Sequence, residues 1–433
     1  MIQQIVRQFL SLNAVREIVV KRTLYTMQLQ SEEFQALFTT GLKTMADLFT
    51  KQNQELRLAG GAVRDLLMGK KPQDLDFATT ATPDQMKEIF QRAGIRLINN
   101  RGEKHGTITA RINEENFEVT TLRIDLTTDG RHADVLFTTD WLKDAERRDL
   151  TINSMFLDLD GTLYDYFGGF EDLKNKRICF VGDAAQRIQE DYLRILRYFR
   201  FYGRIAERPN GHDPATLDAI RHNARGLAGI SGERVWLELK KILLGEHTNH
   251  LVHLMYELGM APYMGLPEDG NLHELDKVCK NVQNLSPKPM TLLVSLLSLE
   301  DEIAKLDLRL KISKEEKNLG LFLLKHRRDL TSDASGSEPL KPYQDFIIDA
   351  REPDAQSRIC ELLKYQGEQR FLQEMELWSI PRFPVNGHDL RRMGISSGKE
   401  IGSMLQELRA QWKKSGFKMD KEELLDNLAK TLK

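Results

Sequence analysis

The stretch LAGGAVRDLLMGKKPQDLDFATT, residues 58–80, decides the fold of the first part of the chain. An apolar run ends at Gly60 and Gly61, and a helical pattern follows at once. A glycine pair here predicts a tight turn from a strand into a helix, whose first backbone N–H groups can bind phosphate oxygens. Arg64, one turn into the helix, would add a charge-assisted contact to phosphate. Taken in isolation, these residues are better explained by a plain tight turn and by a surface ion pair between Arg64 and Asp65; it is their combination with the carboxylates below that favours a phosphate site.

Asp74 and Asp76 follow that helix in a β-type pattern, in which Leu75 and Phe77 are the expected buried positions. Side chains two apart on a strand share a face, so the pattern predicts neighbouring carboxylates. Such carboxylates repel each other unless a cation lies between them, and their oxygens suit Mg²⁺ bound to substrate phosphates. Glu118, in the next strong β pattern, is the expected third carboxylate of a two-metal nucleotidyl-transfer site. A solvent-facing strand edge or turn is the alternative for all three acids.

The chain changes character after about residue 172. Short β-type runs alternate with helical stretches between Leu56 and Phe137, whereas amphipathic helical patterns follow from about Asp172 onward. Two breaks rich in turn-forming residues lie near residues 270 and 335. The predicted fold class is therefore α+β, with an α/β head followed by an all-helical remainder.

The first 26 residues carry four basic residues against one acid, Glu17, with apolar residues at helical spacing. This composition predicts a mitochondrial transit peptide over residues 1–27, and an ordinary amphipathic first helix is the alternative. Met27 offers a second start, from which cytosolic or nuclear forms could be made.

The overall charge excludes a whole-molecule basic field. Lys and Arg number 62 and Asp and Glu number 64, which gives a formal charge of -2, so any nucleic-acid site must be a local patch. No run approaches the roughly 20 apolar residues that a bilayer span requires, which argues against a membrane-spanning protein.

Five motifs occur in a fixed order. After residues 58–80 come ERRDLTINSMF (146–156), DYFGGFEDL (165–173), QEDYLRILRYFRFYGR (189–204) and GISGERVWLELKKIL (229–243). Together they resemble the motifs of the class II tRNA nucleotidyltransferases, the CCA-adding enzymes, and most closely their animal mitochondrial and cytosolic members. The resemblance implies a polymerase-β-type nucleotidyltransferase head at 28–170, a nucleotide-templating neck at 171–245, a body at 246–335 and a tRNA-binding tail at 336–433.

The fourth motif has a pattern that could select nucleobases without a template. Asp191, Arg194, Arg197 and Arg200 are three apart on a helical pattern, which would form a polar ridge. Cytosine and adenine both present a ring acceptor beside an exocyclic amine, so an arginine can donate to the ring while a carboxylate accepts from the amine. By resemblance, Asp191 and Arg194 are this base-reading pair, and Arg197 and Arg200 organise the pocket. A surface ladder of ion pairs is the alternative.

The second motif resembles the family's nucleotide-contacting segment. By that resemblance Arg148 contacts the nucleotide, and Asp149 and Asn153 lie around the sugar. Arg147 has no assigned role, and Arg234 in the fifth motif is expected to be structural.

The expected activity is Mg²⁺-dependent addition of two C residues and one A to tRNA 3′ ends, with CTP and ATP as substrates. The resemblance also implies that the acceptor-TΨC minihelix is the tRNA part that binds. A poly(A) polymerase, a relative that adds only CC or only A, and a catalytically silent tRNA-binding protein are the rival hypotheses. The oligomeric state is left open.

Overall fold

The structure, a computed structural model, describes residues 24–98, 100–128, 133–332, 338–350 and 353–431. The chain forms two compact units, one up to Met264 and one from Gly265 onward. The predicted transit peptide lies outside the described residues for positions 1–23. The finer boundaries between neck, body and tail stay predictions.

All the described strands belong to the first unit. They are Tyr25–Gln28 (β1), Leu56–Ala59 (β2), Asp76–Thr79 (β3), Arg96–Ile98 (β4), Thr107–Ile112 (β5), Glu115–Thr121 (β6), Arg123–Thr128 (β7), Ala133–Phe137 (β8), Phe156–Asp158 (β9) and Thr162–Asp165 (β10). Eight of them form one sheet in the order β1-β10-β9-β2-β3-β6-β5-β4, and β7 pairs with β8 separately. The β3–β6 pair is parallel, whereas the other pairs are antiparallel.

The α-helices of the first unit surround and follow this sheet. They are Glu32–Gln35 (α1), Thr40–Lys51 (α2), Gly61–Leu67 (α3), Pro83–Arg92 (α4), Trp141–Glu146 (α5), Gly169–Lys174 (α6), Ala184–Glu190 (α7), Leu193–Ile205 (α8), Pro214–Asn223 (α9), Gly232–Leu243 (α10) and Thr248–Glu257 (α11). Short 3₁₀ helices cover Asn100–His105, Thr151–Asn153, Ala224–Gly229 and Ala261–Met264.

The head sheet begins earlier than the sequence suggested. Met27 pairs with Leu163, and Tyr25 stacks on Phe170 with ring centroids 5.7 Å apart. Residues 25–27, assigned to the leader by the sequence, therefore belong to the sheet.

The first motif forms the predicted strand, turn and helix. All four residues of β2 are buried, because hydrogen-bonded strands flank it on both sides and the sheet packs on Trp141 and Phe156. Gly60 has φ 64° and ψ -118°, a conformation that side chains disfavour, and α3 starts at the next residue.

The carboxylate segment departs from its predicted geometry. Strand β3 starts at Asp76, so Asp74 lies in the bend before the strand and not on one strand face with Asp76. Phe77 is buried as expected, whereas Leu75 is only half-buried.

The fourth motif is two helices rather than one continuous helical ridge. Asp191 is extended, with φ -153° and ψ 104°, and separates α7 from α8. Its Oδ1 accepts from the backbone N–H of Leu193 at 3.0 Å, and its carbonyl accepts from the N–H of Arg194. Local hydrogen bonding of this kind competes with helix continuation. Asp191 therefore precedes the helix that carries the three arginines.

The second unit is helical in its described residues. Its α-helices are Leu272–Asn281 (α12), Pro289–Leu293 (α13), Glu300–Leu310 (α14), Lys314–His326 (α15), Lys341–Ala350 (α16), Ala355–Gln366 (α17), Gln369–Leu377 (α18), Gly387–Arg392 (α19), Gly398–Lys414 (α20) and Lys421–Thr431 (α21), with a 3₁₀ turn at Val294–Leu296. Leu390, Leu408, Trp412 and Leu424 centre the core of its last helices. Within the described ranges, no helix combines the length and the apolar character that crossing a membrane requires.

Candidate active site

A cavity of about 580 Å³ in the first unit collects most of the charged residues that the sequence singled out. Its charged lining comprises eight arginines and five acids: Arg64, Arg123, Arg147, Arg148, Arg194, Arg197, Arg200 and Arg234, with Asp76, Glu118, Asp144, Asp149 and Asp191. Gly60, Gly61 and Asn153 also line it, so that of the predicted site residues Asp74 alone is not part of the wall. A volume of this size suits a small-molecule substrate. The local excess of cations favours an anionic one.

The glycine turn opens the cavity at the start of α3. The N–H of Gly60 donates to the carbonyl of Met155 at 3.2 Å. The predicted binding of phosphate by the amides of this turn therefore does not extend to the Gly60 N–H. The first-turn amides that begin with Gly61 have no partner within the helix itself. A Cβ on Gly60 would lie 3.1 Å from Nη1 of Arg148, which shows how closely that guanidinium approaches the turn.

Arg64 is buried in the cavity wall. Its Nε and Nη2 donate to Asp65 at 3.0 and 2.9 Å, and its Nη1 donates to Oδ1 of Asn153 at 2.6 Å. The ion pair with Asp65 exists as the alternative hypothesis proposed, but it is a buried pair, because Arg64 is only 4% exposed. Burial lowers the pKa of Arg64.

Asp76 and Glu118 lie side by side because β3 and β6 run parallel with these two residues in register. Desolvation, followed by repulsion from Asp74, raises the pKa of Asp76. Desolvation, followed by repulsion from Asp76, likewise raises the pKa of Glu118. In the part of the chain that the structure describes, neither carboxylate forms an ion pair or a side-chain hydrogen bond. The pair thus has negative charge that nothing in its surroundings compensates fully.

The donor set suits a hard cation. No group of three or more His, Cys, Asp or Glu side chains among the described residues is arranged to hold a metal ion. Asp76 and Glu118 nevertheless offer uncommitted carboxylate oxygens at one position, with Asp74 close enough to repel both of them. Oxygen ligands of this type fit Mg²⁺, which keeps several ligands from water and substrate phosphates.

Asp144 fixes the two arginines of the second motif. Its Oδ1 accepts from Nε of Arg147 at 2.9 Å, and its Oδ2 accepts from Nε and Nη2 of Arg148 at 3.2 and 3.0 Å. Burial alone would raise the pKa of Asp144, but the two guanidinium groups lower it. The third donor of Arg148, Nη1, reaches the carbonyl of Asn153 at 3.3 Å. Arg148 therefore lies in the cavity as the resemblance implied.

Asp149 and Asn153 join the head to helix α8. Arg197 donates through Nε to Oδ2 of Asp149, and Nδ2 of Asn153 lies 3.4 Å from Oδ1 of Asp149. Burial opposes ionisation of Asp149, yet the charge of Arg197 lowers its pKa to about 2. Asp149 and Asn153, which the resemblance placed around the sugar, thus both line the cavity, and much of their hydrogen-bonding capacity is already taken up by other groups of the protein.

Asp191 and Arg194, the predicted base-reading pair, both line the cavity, but they form no ion pair with each other. Asp191 accepts from Nη2 of Arg234 through Oδ2 at 2.8 Å. Arg194 donates through Nη1 to Glu190 at 2.6 Å and to the carbonyl of Arg187 at 3.0 Å, and through Nη2 to the carbonyl of Arg147 at 2.9 Å. The prediction that Arg234 is merely structural is therefore incomplete, because it lines the cavity and holds Asp191.

Arg200 is held from the fifth motif. Both carboxylate oxygens of Glu238 accept from its Nη1, at 2.8 and 3.0 Å, and its guanidinium lies 4.3 Å from the ring centroid of Phe201. Glu238 is only 6% exposed. Glu238 and the Phe201 ring thus fix the orientation of the Arg200 guanidinium at the cavity wall.

Sequence reasoning missed the acids that orient these arginines. Asp144 stands four residues before Arg148, which is helical ion-pair spacing and was a usable signal. Helix α10 brings Arg234 to the cavity wall and Glu238 to Arg200 through tertiary packing, and the sequence pattern of these two residues resembles that of any charged helix face.

Two family models match parts of the chain between residues 56 and 268. Residues 56–179 match the Poly A polymerase head domain, and residues 213–268 match the probable RNA and SrmB-binding site of polymerase A. Among solved structures, the Bacillus stearothermophilus CCA-adding enzyme in complex with CTP aligns with a TM-score of 0.70 at 24% identity, over 93% of this chain and 99% of that one. The Thermotoga maritima CCA-adding enzyme complexed with tRNA aligns with a TM-score of 0.69 at 21% identity, over 94% and 99%. These likenesses confirm the predicted fold class.

Curated animal proteins are much more similar in sequence. The CCA tRNA nucleotidyltransferase 1, mitochondrial, of Mus musculus is 70% identical over 98% of both chains. The Homo sapiens protein of the same name is 71% identical over 95% of both chains. Identity at this level over nearly the whole length confirms the resemblance read from the five motifs: the chain belongs to the CCA tRNA nucleotidyltransferases.

Proposed function

We propose that this protein adds C, C and A to the 3′ end of tRNA, with CTP and ATP as substrates and release of pyrophosphate. The observation that carries the proposal is that one cavity brings together a glycine turn, a pair of uncompensated carboxylates and the arginine-acid pair suited to reading C and A. Each of these features serves a different part of a nucleotide. The family membership agrees with this activity.

The triphosphate is proposed to bind at the start of α3. The amides that follow Gly60 point out of the helix, and Arg64 and Arg148 add positive charge at the same wall. Gly60 contributes by its backbone conformation and by lacking a side chain, which lets Arg148 approach. Together these groups would orient the phosphates toward the carboxylates.

Asp74 and Asp76 are the proposed ligands of Mg²⁺, with Glu118 as a third carboxylate. Bound Mg²⁺ would help a tRNA 3′-hydroxyl attack the α-phosphate and would neutralise charge on the leaving pyrophosphate. The raised pKa values of Asp76 and Glu118 support the proposal, because repulsion of this kind makes the site selective for a cation. Asp76 and Glu118 lie on strands β3 and β6 in the middle of the sheet, so the reacting end of the nucleotide would lie there.

Asp191 and Arg194 are proposed to read the base. Three donor contacts of Arg194 go to protein oxygens, and a guanidinium has five N–H donors, so donors remain for a ring nitrogen. Each carboxylate oxygen has two lone pairs, so Asp191 can accept an exocyclic amine while Arg234 still holds it. Uracil and guanine would set donor against donor at Arg194 and acceptor against acceptor at Asp191. A loss of about 1–3 kcal/mol per spoiled contact would exclude them.

The remaining cavity residues are proposed to shape the nucleotide pocket. Asn153 and Asp149 lie at the position proposed for the sugar, where an amide or carboxylate can bond a 2′-hydroxyl. Arg197 and Arg200 are held by Asp149 and Glu238, respectively, and would keep the pocket walls in place.

The tRNA partner and the cellular location follow from the family. We propose that the tail segment 336–433 binds the acceptor-TΨC minihelix, since double-stranded RNA is recognised mainly by shape. The mitochondrial names of the animal relatives support a mitochondrial location. Cytosolic and nuclear forms that begin at Met27 are part of the proposal, and such forms would keep Met27 and Gln28 of strand β1.

The first test is an incorporation assay on residues 24–433, which retain the whole of β1. The protein is incubated with Mg²⁺ and tRNA transcripts that lack CCA, with CTP and ATP singly and together, and products are resolved to one nucleotide. Extension that stops after CCA, with A added only after both C residues, supports the proposal. A long A tail, a partial product or no product supports the poly(A), partial-addition or silent alternative.

Carboxylate variants test the metal assignment. Asp76→Asn is expected to abolish incorporation while tRNA binding stays within about twofold, whereas Asp84→Asn on an exposed helix start is the matched control. Asp74→Asn decides whether a residue outside the cavity wall is a ligand. If Asp76→Asn and Asp74→Asn both incorporate nucleotides normally, the assignment of these residues as Mg²⁺ ligands is wrong.

A further inference from the structure

Asp144 is a buried acid with no role in the reaction as described so far. It lies in helix α5, only 1% exposed, and its carboxylate accepts four hydrogen bonds. Its two oxygens serve different partners. Oδ1 accepts from Nε of Arg147 and from the backbone N–H of Arg123, whereas Oδ2 accepts from Arg148.

The Oδ2 branch ends at the phosphate side of the cavity. The two contacts from Asp144 leave Arg148 a single orientation, in which Nη1 reaches the carbonyl of Asn153 and lies 3.1 Å from the position of a Cβ on Gly60. A guanidinium held at two nitrogens by a buried carboxylate loses little further freedom when an anion binds. Asp144 thereby presets the position of Arg148.

The Oδ1 branch ends at the base-reading side. Arg147 donates to Asp144, and the carbonyl of Arg147 accepts from Nη2 of Arg194 at 2.9 Å. The preceding carbonyl, that of Glu146, accepts from Nη1 of Arg187 at 2.7 Å. The backbone that Asp144 anchors is therefore also the backbone that orients the reading arginine.

We propose that Asp144 is a positioning residue for both ends of the bound nucleotide, which sets Arg148 for the triphosphate and, through the Arg147 carbonyl, Arg194 for the base. The inference rests on the proposed function. It predicts that loss of the Asp144 charge harms nucleotide binding and base choice together, because both effects act through the arginines that Asp144 holds.

Asp144→Asn is the informative substitution because it keeps the size of the side chain. One oxygen becomes an NH₂ group, and either orientation of the amide then sets donor against donor, with Arg148 in one case and with Arg147 and the Arg123 N–H in the other. The matched control is Glu361→Gln in the second unit. Glu361 is 3% exposed and accepts from Thr291 and from the backbone N–H of Lys288, so its variant also removes a buried carboxylate.

Steady-state kinetics distinguish positioning from simple stability. For Asp144→Asn we expect the KM for CTP and for ATP to rise about tenfold each, equivalent to about 1.4 kcal/mol, and the preference for C over U to fall. The dissociation constant for tRNA should stay within about twofold. Glu361→Gln should lower the melting temperature and leave both KM values and base choice unchanged. If Asp144→Asn lowers the melting temperature as Glu361→Gln does and keeps normal KM values and base choice, the proposal is overturned.

A second variant covers the case in which Asp144→Asn does not fold. Arg147→Ala removes a side chain at the cavity wall and frees the peptide that holds Arg194. It should raise both KM values several-fold, and unchanged KM values would overturn the proposal. The shift in melting temperature when CTP is added without tRNA separates a failure of the proposed function from a failure of the role proposed for Asp144. A wild-type protein that binds CTP but adds no nucleotide contradicts the proposed function, whereas a variant with an undiminished CTP-induced shift contradicts the role of Asp144.

Discussion

The neighbouring glycines Gly60 and Gly61 should respond in opposite directions to the same substitution by alanine. Gly60 has φ 64° and ψ -118°, and an added Cβ would lie 3.1 Å from Nη1 of Arg148 and 3.6 Å from the carbonyl of Asn153. The conformation alone costs about 1–3 kcal/mol for a residue with a side chain. Arg148 cannot withdraw easily, because Asp144 holds two of its nitrogens.

Gly61 offers the matched control. Its φ lies outside the left-handed region, and an added Cβ would meet Nη2 of Arg64 at 3.6 Å, an ordinary contact. Gly61 is the first residue of helix α3, where alanine reduces the entropy of the unfolded chain and stabilises by about 0.4–1 kcal/mol. The two variants should therefore differ by roughly 1.5–4 kcal/mol.

Thermal unfolding without nucleotides measures this difference. A free-energy change of 1 kcal/mol shifts the melting temperature by about 2–4 °C in a domain of 150–250 residues, so Gly60→Ala should melt several degrees below the wild type and Gly61→Ala slightly above it. Equal melting temperatures for the two variants would refute the argument that backbone conformation requires glycine at position 60.

Three further perturbations test the charged framework. Burial and then the neighbouring histidines lower the pKa of His212 to about 4, so stability is lost as the pH falls from 6.5 toward 4. The free energy of urea unfolding should therefore be up to about 2 kcal/mol lower at pH 5 than at pH 7.5, and His212→Gln should reduce this difference. Glu238→Gln should raise the KM for both nucleotides several-fold in kinetic assays, because Arg200 loses its fixed orientation, and an unchanged KM would exclude that role. Asp149→Asn should lower the free energy of urea unfolding at pH 7 by about 3–5 kcal/mol, because it leaves the charge of Arg197 uncompensated. The double variant Asp149→Leu/Arg197→Met should recover part of that loss. If it recovers none, the uncompensated charge of Arg197 is not the cause.

The sequence could predict the glycine turn because its causes are local. An apolar run, a residue pair without side chains and a helical pattern lie within one stretch, and the structure has β2, Gly60 and α3 in that order. The break at Asp191 is also local, since an aspartate that accepts from the N–H two residues later is a recognised helix-start signal. The sequence predicted one continuous helical ridge, because the helical spacing of the polar side chains continues across the two-residue break between α7 and α8.

The remaining features depend on contacts between distant parts of the chain. Asp76 and Glu118 are neighbours only because β3 and β6 pair in parallel with one particular register. A shift of one residue would turn Glu118 to the opposite face of the sheet, and no local pattern fixes that register. Likewise, Arg234 and Glu238 reach Asp191 and Arg200 through packing of α10. Pairwise geometry of this kind cannot be read from one sequence.

The acids that hold the cavity arginines should strengthen nucleotide binding, although their negative charge alone predicts that they weaken it. Coulomb's law applied to the cavity suggests that removing Asp144 or Glu238 should strengthen binding of a triphosphate, since the wall becomes more positive. The hydrogen bonds imply the opposite, because each acid fixes a guanidinium that would otherwise adopt many orientations. Preorganised dipoles and charges need no reorientation when substrate charge arrives. The free energy saved in this way exceeds the extra attraction that removing one acid would give in a cavity open to water. A near-neutral protein can thus bind a polyanion tightly when its acids are placed behind its arginines rather than between them and the substrate.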